Sequence, residues 1–120
     1  RMVGDLYQGL LTNPDRKYFS VIDGIMAGEG QGPFCPTAKY ANTLIAGTDL
    51  LFVDIAAVRY MGIDPTKIKY LDYFIKKWTI NLRNEISVYK DGLEIENFMY
   101  ANTKYKDFYL VDSWRTYLDK

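Results

Sequence analysis

Residues 21–64 read V-I-D-G-I-M-A-G-E-G-Q-G-P-F-C-P-T-A-K-Y-A-N-T-L-I-A-G-T-D-L-L-F-V-D-I-A-A-V-R-Y-M-G-I-D, and this pattern decides the fold class. The β-branched and aromatic residues at 18–22 predict a buried strand, ended or bent by Asp23-Gly24. Ile25 and Met26 can extend it past a kink. Four of the nine glycines then fall between Gly24 and Gly32, and Pro33 and Pro36 bracket Phe34 and Cys35, so a glycine-rich loop is expected. Residues 43–46 predict a short second strand that stops at Gly47. Thr48 or Asp49 can cap a helix over residues 50–61, and Gly62 stands in the favoured C-terminal cap position. That helix is apolar nearly all round, which implies deep burial. The expectation is an α/β domain: a small mixed sheet with helices packed on it and a glycine-rich loop at the strand ends.

The flanks extend this reading. Residues 1–12 predict a helix whose apolar face is Val3, Leu6 and Leu10, with Met2 and Tyr7 beside it. Gly4 and Gly9 each weaken it by about 1 kcal/mol relative to Ala, so it depends on packing. Asn13-Pro14-Asp15 is a stop and turn signal. Asp64-Pro65 reads as a helix start, with a seam of Ile68, Leu71, Ile75 and Trp78. Residues 86–89 predict a strand, Asp91-Gly92 a hairpin turn, and residues 93–98 a returning strand. A polar link at 102–106 leads to a last helix capped by Asp107, with Phe108, Val111, Trp114 and Leu118 apolar.

Composition bounds the function. With 120 residues there is room for one domain with one core, and no linker or repeat divides the chain. The formal net charge is zero, so there is no basic excess to neutralise phosphates and nucleic acid is not an expected partner. No apolar run reaches the roughly 20 residues of a membrane span, and a cytoplasmic location is favoured. The eleven tyrosines read as partly buried aromatics, with a surface role as the alternative. One cysteine and no histidine leave no internal disulfide and no cysteine-built zinc or iron–sulfur site. Acid–base work would fall to carboxylates, Lys, Tyr or Cys35, and a passive thiol is the better reading of Cys35.

Two features can carry chemistry. Gly28-x-Gly30-x-Gly32 lets backbone approach a ligand, but it is neither a dinucleotide fingerprint nor a P-loop: the third glycine is one place early, no helix follows, and the Lys-Ser/Thr pair is missing. A tight Gly/Pro turn is the plain alternative. Asp23 ends a strand, Glu29 is in the glycine-rich loop and Asp49 opens a helix, and an open α/β sheet gathers ligands where strand ends and helix starts converge. Together they could hold a divalent cation such as Mg2+ or Ca2+. The alternatives are an N-cap for Asp49 and a turn carboxylate for Asp23. Asp54 lies inside the apolar arc of the helix, where a charge must be paired or neutralised. It is either a member of a structural network, with Lys39, a tyrosine hydroxyl or loop amides as partners, or a functional carboxylate. Asp54 and Glu29 are the candidate catalytic groups. Gly28, Gly30, Gly32, Asp49 and Asp23 are the candidate ligand-binding residues.

Asp23, Gly24, Glu29, Gly30, Gly32 and Pro33, followed by Gly47, Asp49, Asp54 and Gly62, resemble the domain of unknown function 362 family. That family carries a D-G-x-x-x-x-E-G-x-G-P stretch and then an A-G-x-D-x-x-x-x-D segment. The likeness covers residues 21–71, with looser similarity at 86–98. It implies a bacterial or archaeal protein in which residues 1–120 are the C-terminal part of a longer domain, consistent with a chain that opens at Arg1. It also implies a ferredoxin-like iron–sulfur module as a partner elsewhere in the full protein. The loop amides and carboxylates themselves lead to the expectation of a small molecule or anion, or a metal–ligand pair, as ligand. The chain departs from the family pattern at Phe34-Cys35-Pro36. On this reading the chain is a ligand- or metal-binding portion of a larger, redox-linked protein. The competing reading is a non-catalytic interaction module.

Overall fold

The computed structural model describes residues 2–82, 85–96, 98, 108–111, 113, 114 and 117. In chain order the elements are α1 (Met2–Leu10), β1 (Ser20–Glu29), β2 (Thr37–Gly47), α2 (Leu50–Tyr60), a 3-10 turn (Pro65–Lys67), α3 (Lys69–Lys77), β3 (Tyr89–Lys90) and β4 (Leu93–Glu94). The strands form two antiparallel two-stranded sheets, β1 with β2 and β3 with β4. This is a small α/β fold.

The largest departure from expectation is the glycine-rich segment, which is mostly strand and not loop. β1 runs through Asp23-Gly24 to Glu29, and β2 begins at Thr37, so the two make one long hairpin from Ser20↔Gly47 to Glu29↔Thr37. The register slips once, between Gly24 and Met26, opposite Asn42 at φ 51. Glycine weakens a strand locally, but cross-strand pairing outweighs that propensity. Gly28 also has a steric reason: a Cβ there would stand 2.8 Å from Cβ of Pro36. Only the tip, residues 30–36, is a turn, opened by Gly30 at φ 77 and containing a cis Gly32-Pro33 bond.

The ends of α2 follow their local signals. Asp49 caps α2, its Oδ1 accepting from the Phe52 amide at 3.0 Å. At the other end Gly62 takes φ 84 and donates to the Arg59 carbonyl. Asp64 Oδ1 accepts from both the amide and the hydroxyl of Thr66. This cap opens the 3-10 turn, and α3 starts only at Lys69. The Asx turn at Asn13 and the Asp91-Gly92 hairpin turn, at φ 53 and 80, also form as expected.

The core lies between α2 and α3. Leu51, Ile55, Ala56, Ile68, Leu71, Phe74 and Phe98 form its buried cluster, and Ile45, Ile86, Val88 and Ile95 pack on its margin. Trp78, expected in the α3 seam, is 39% exposed, and Phe74 takes the central place instead. The α1 face is also a correction. Met2, Val3, Leu6 and Leu10 are exposed, and the helix docks through Gly4 and Tyr7. A Cβ on Gly4 would lie 3.3 Å from Cζ of Phe74, so the missing side chain sets the approach. Tyr7 then meets Phe74 edge-to-face at 5.4 Å.

The polar link at 102–106, Asp107 and Leu118 lie outside the described residues. Near them, Gly30 and Leu110 form a parallel bridge, with the Gly30 amide donating to the Tyr109 carbonyl at 2.9 Å. No helix among the described residues is long and apolar enough to cross a membrane.

Candidate functional site

The four acidic residues of the central segment each meet their own partners. Glu29, at the hairpin tip, accepts on Oε2 from Lys39 Nζ and from the Tyr109 amide, both at 2.8 Å. The Lys39 hydrogen bond, then the Tyr109 amide, hold its carboxyl below the ordinary range. Asp54 is partly buried, and its Oδ2 accepts from the Tyr70 hydroxyl of α3 at 2.9 Å. Of the partners its position required, the tyrosine hydroxyl is the one found. Burial first, then the hydrogen bond to Asp54, raise the Tyr70 phenol, which stays a neutral donor.

Asp49 is exposed and caps α2, and its Oδ1 also accepts from Tyr7 at 3.3 Å. Burial, followed by the Asp49 charge, pushes the Tyr7 phenol up to about 12. Asp23 sits on the exposed side of β1, and its Oδ1 accepts from the Ile25 amide at 3.0 Å. Glu29 belongs to the hairpin tip, Asp54 to the α2–α3 contact, Asp49 to the start of α2 and Asp23 to the outer face of β1. Among the described residues no group of three or more Asp, Glu or Cys side chains is placed to hold a metal ion. Gly28 lies within β1, and Gly30 and Gly32 lie in the tip turn, where the Gly32 amide donates to the Gly30 carbonyl. The exposed Cys35 is also at the tip.

A concavity lies elsewhere. It is a cleft of about 760 Å3 walled by residues 42–49 and 85–90. Phe52, Val53, Ala56 and Tyr60 of α2 line it too, a stripe along one side of that helix. Tyr60 also donates its hydroxyl to the Ala41 carbonyl at 2.9 Å, holding the helix against β2. Of the expected site residues, only Asp49 borders the cleft. Its second wall, residues 85–90, carries no sequence motif that points to a site. The only available signal was alternation, with Ile86 and Val88 apolar between Ser87 and Tyr89, and alternation marks a strand without saying what lies beside it.

Compared with protein-family models, curated proteins and solved structures, the chain matches none.

Proposed function

We propose that the chain is a non-catalytic interaction module that binds another polypeptide. One observation carries this reading. The carboxylates that chemistry would need are each engaged by a different structural partner, whereas the β1–β2 hairpin turns Val21, Met26, Tyr40 and Leu44 to solvent. Exposed apolar side chains clustered on one face are a common mark of association surfaces. The partner suggested by the family resemblance, a ferredoxin-like module in a larger protein, is compatible with such a role and is part of the proposal.

The volume of the cleft gives the ligand-binding reading its own footing, because about 760 Å3 is ordinary for a small-molecule site. Thermal unfolding separates the two. The module reading expects no change in Tm with Mg2+, Ca2+, phosphate or nucleotides, for the wild type and for Asp54→Asn alike. A rise of several degrees with any of them, lost in Asp49→Asn or Glu29→Gln, would establish the ligand reading instead, since a ligand that binds only the native state must stabilise it.

A further inference from the structure

The polarity of the β1–β2 ribbon is reversed. An antiparallel pair with one covered face ordinarily turns its polar side chains to water. Here the ion pair of Glu29 and Lys39 lies on the partly buried side, at 2.8 Å. The outward side carries no Lys, Arg or Glu. Its middle rungs are Asp23↔Leu44 and Met26↔Tyr40, and Leu44, Met26 and Tyr40 are each more than half exposed. Val21↔Ala46 closes one end and Gly28↔Ala38 the other, where Pro36 stands in the place of a Gly28 side chain. Between the middle rungs is the bulge, with the exposed Asn42 at φ 51.

We infer that a second copy of this chain covers this face, the two ribbons packing outer side to outer side and end for end about a two-fold axis through the bulge. The inference rests on the module reading and names its partner. The register is what makes the face fit itself. Turned end for end, Asp23↔Leu44 falls on Met26↔Tyr40 of the second copy, so Leu44 meets the Tyr40 ring and Asp23 comes within one strand spacing of the Tyr40 hydroxyl. The one carboxylate of the face thereby gains a donor, and the two copies of Asp23 stand on different rungs. Packing with the tips together would put both on the same rung, where like charges oppose each other. Asn42 sits at the axis, where two carboxamides can exchange hydrogen bonds. The area is also sufficient. Ten residues of strand make the face about 30 Å long and two strands make it roughly 10 Å wide, so with side-chain relief the contact covers about 1,000 Å2 in total, the lower bound for a specific interface. Such an area fits a reversible dimer with a Kd on the order of 10–100 µM, so the chain is monomeric at low micromolar concentration.

The test is sedimentation equilibrium of the 120-residue chain from about 5 to 500 µM. The expected result is a reversible rise from the monomer mass to twice that mass. Leu44→Lys should weaken the dimer at least tenfold, with circular dichroism unchanged at low concentration. Leu93→Lys, which changes an equally exposed leucine outside the ribbon, should leave it as it is. Cys35 at the hairpin tip reports the orientation, because it is the only cysteine and is exposed. Spin labels on it should lie about 40 Å apart in the end-for-end dimer and under about 20 Å apart with tips together. A short distance overturns the end-for-end packing, and equal loss of the dimer in Leu44→Lys and Leu93→Lys overturns the face. A chain that stays monomeric throughout overturns the second copy. The module reading then survives, with a different protein as partner, if Tm is indifferent to cations and nucleotides, and falls as well if Tm rises with them.

Discussion

Phe74 and Met26 are both large apolar side chains, yet Phe74 is 1% exposed and Met26 is 57% exposed. The first belongs to the α2–α3 region, the second to the β1–β2 hairpin. In the helical region apolar residues meet one another: Leu51 and Ile55 from α2 close on Leu71 and Phe74 from α3, and Tyr7 packs across the top. In the hairpin, one face leans on α2, and on the other Val21, Met26, Tyr40 and Leu44 are exposed. The strand pattern explains the difference. A two-stranded ribbon has two faces and a single helix layer covers only one, so the apolar residues of the second face remain in water. Burial is therefore concentrated in the helical region, and the surface proposed for association is the outer face of the hairpin.

Five substitutions would break or sharpen that contrast. Phe74→Ala should cost the most, about 3–5 kcal/mol, because it empties the centre of the cluster. Urea unfolding would read this as a fall in midpoint at constant m-value. A loss below 1 kcal/mol would mean that the helical region is not where the stability resides. Gly28→Val comes next, at about 1–3 kcal/mol, since the new side chain meets Pro36 across the hairpin. Its signature would be faster amide exchange along β1 and β2 than in α3. If α3 frays equally, the two regions unfold as one unit.

Tyr70→Phe removes the donor to Asp54 and should cost about 1 kcal/mol at neutral pH. The same phenols make an alkaline prediction. Tyr7 has a folded pKa of about 12 against 10.0 unfolded, so its contribution is complete below about pH 10 and is lost as pH climbs toward 12. Tyr70 is raised as well and acts in the same direction. Chemical denaturation from pH 9 to 12 should show this decline, and Tyr7→Phe should flatten it. An equally steep decline in the variant would point to other groups. The smallest effect belongs to Leu44→Lys on the outer face: within about 0.5 kcal/mol of wild type, but with less binding of a hydrophobic dye. A large destabilisation there would show that the outer face is already packed.

Local signals were the legible ones. Asp49, Gly62, Asp64 and the Asp91-Gly92 turn could be read directly, because caps and tight turns depend on a few adjacent residues. The α/β class was legible for the same reason. The glycine-rich segment misled, since Gly24 and Gly28 look like loop residues until a partner strand holds them in register. α1 misled differently: its apolar residues define a plausible face, but Gly4 alone lets the helix come close enough to Phe74. For the site, the pairing that Asp54 needed was foreseeable from its place on the helix, but Tyr70 as the donor was not.

Residues adjacent in the chain thus determined where helices begin and end, which turns close, that no histidine chemistry is available and that a carboxylate inside an apolar helix must find a donor. Tertiary structure decided that the glycines run through a hairpin and that Asp23, Glu29, Asp49 and Asp54 each accept from different donors. Caps and turns are settled within a few residues by short-range hydrogen bonds. Register and the spacing between sheets depend on contacts dozens of residues apart, which no local pattern encodes.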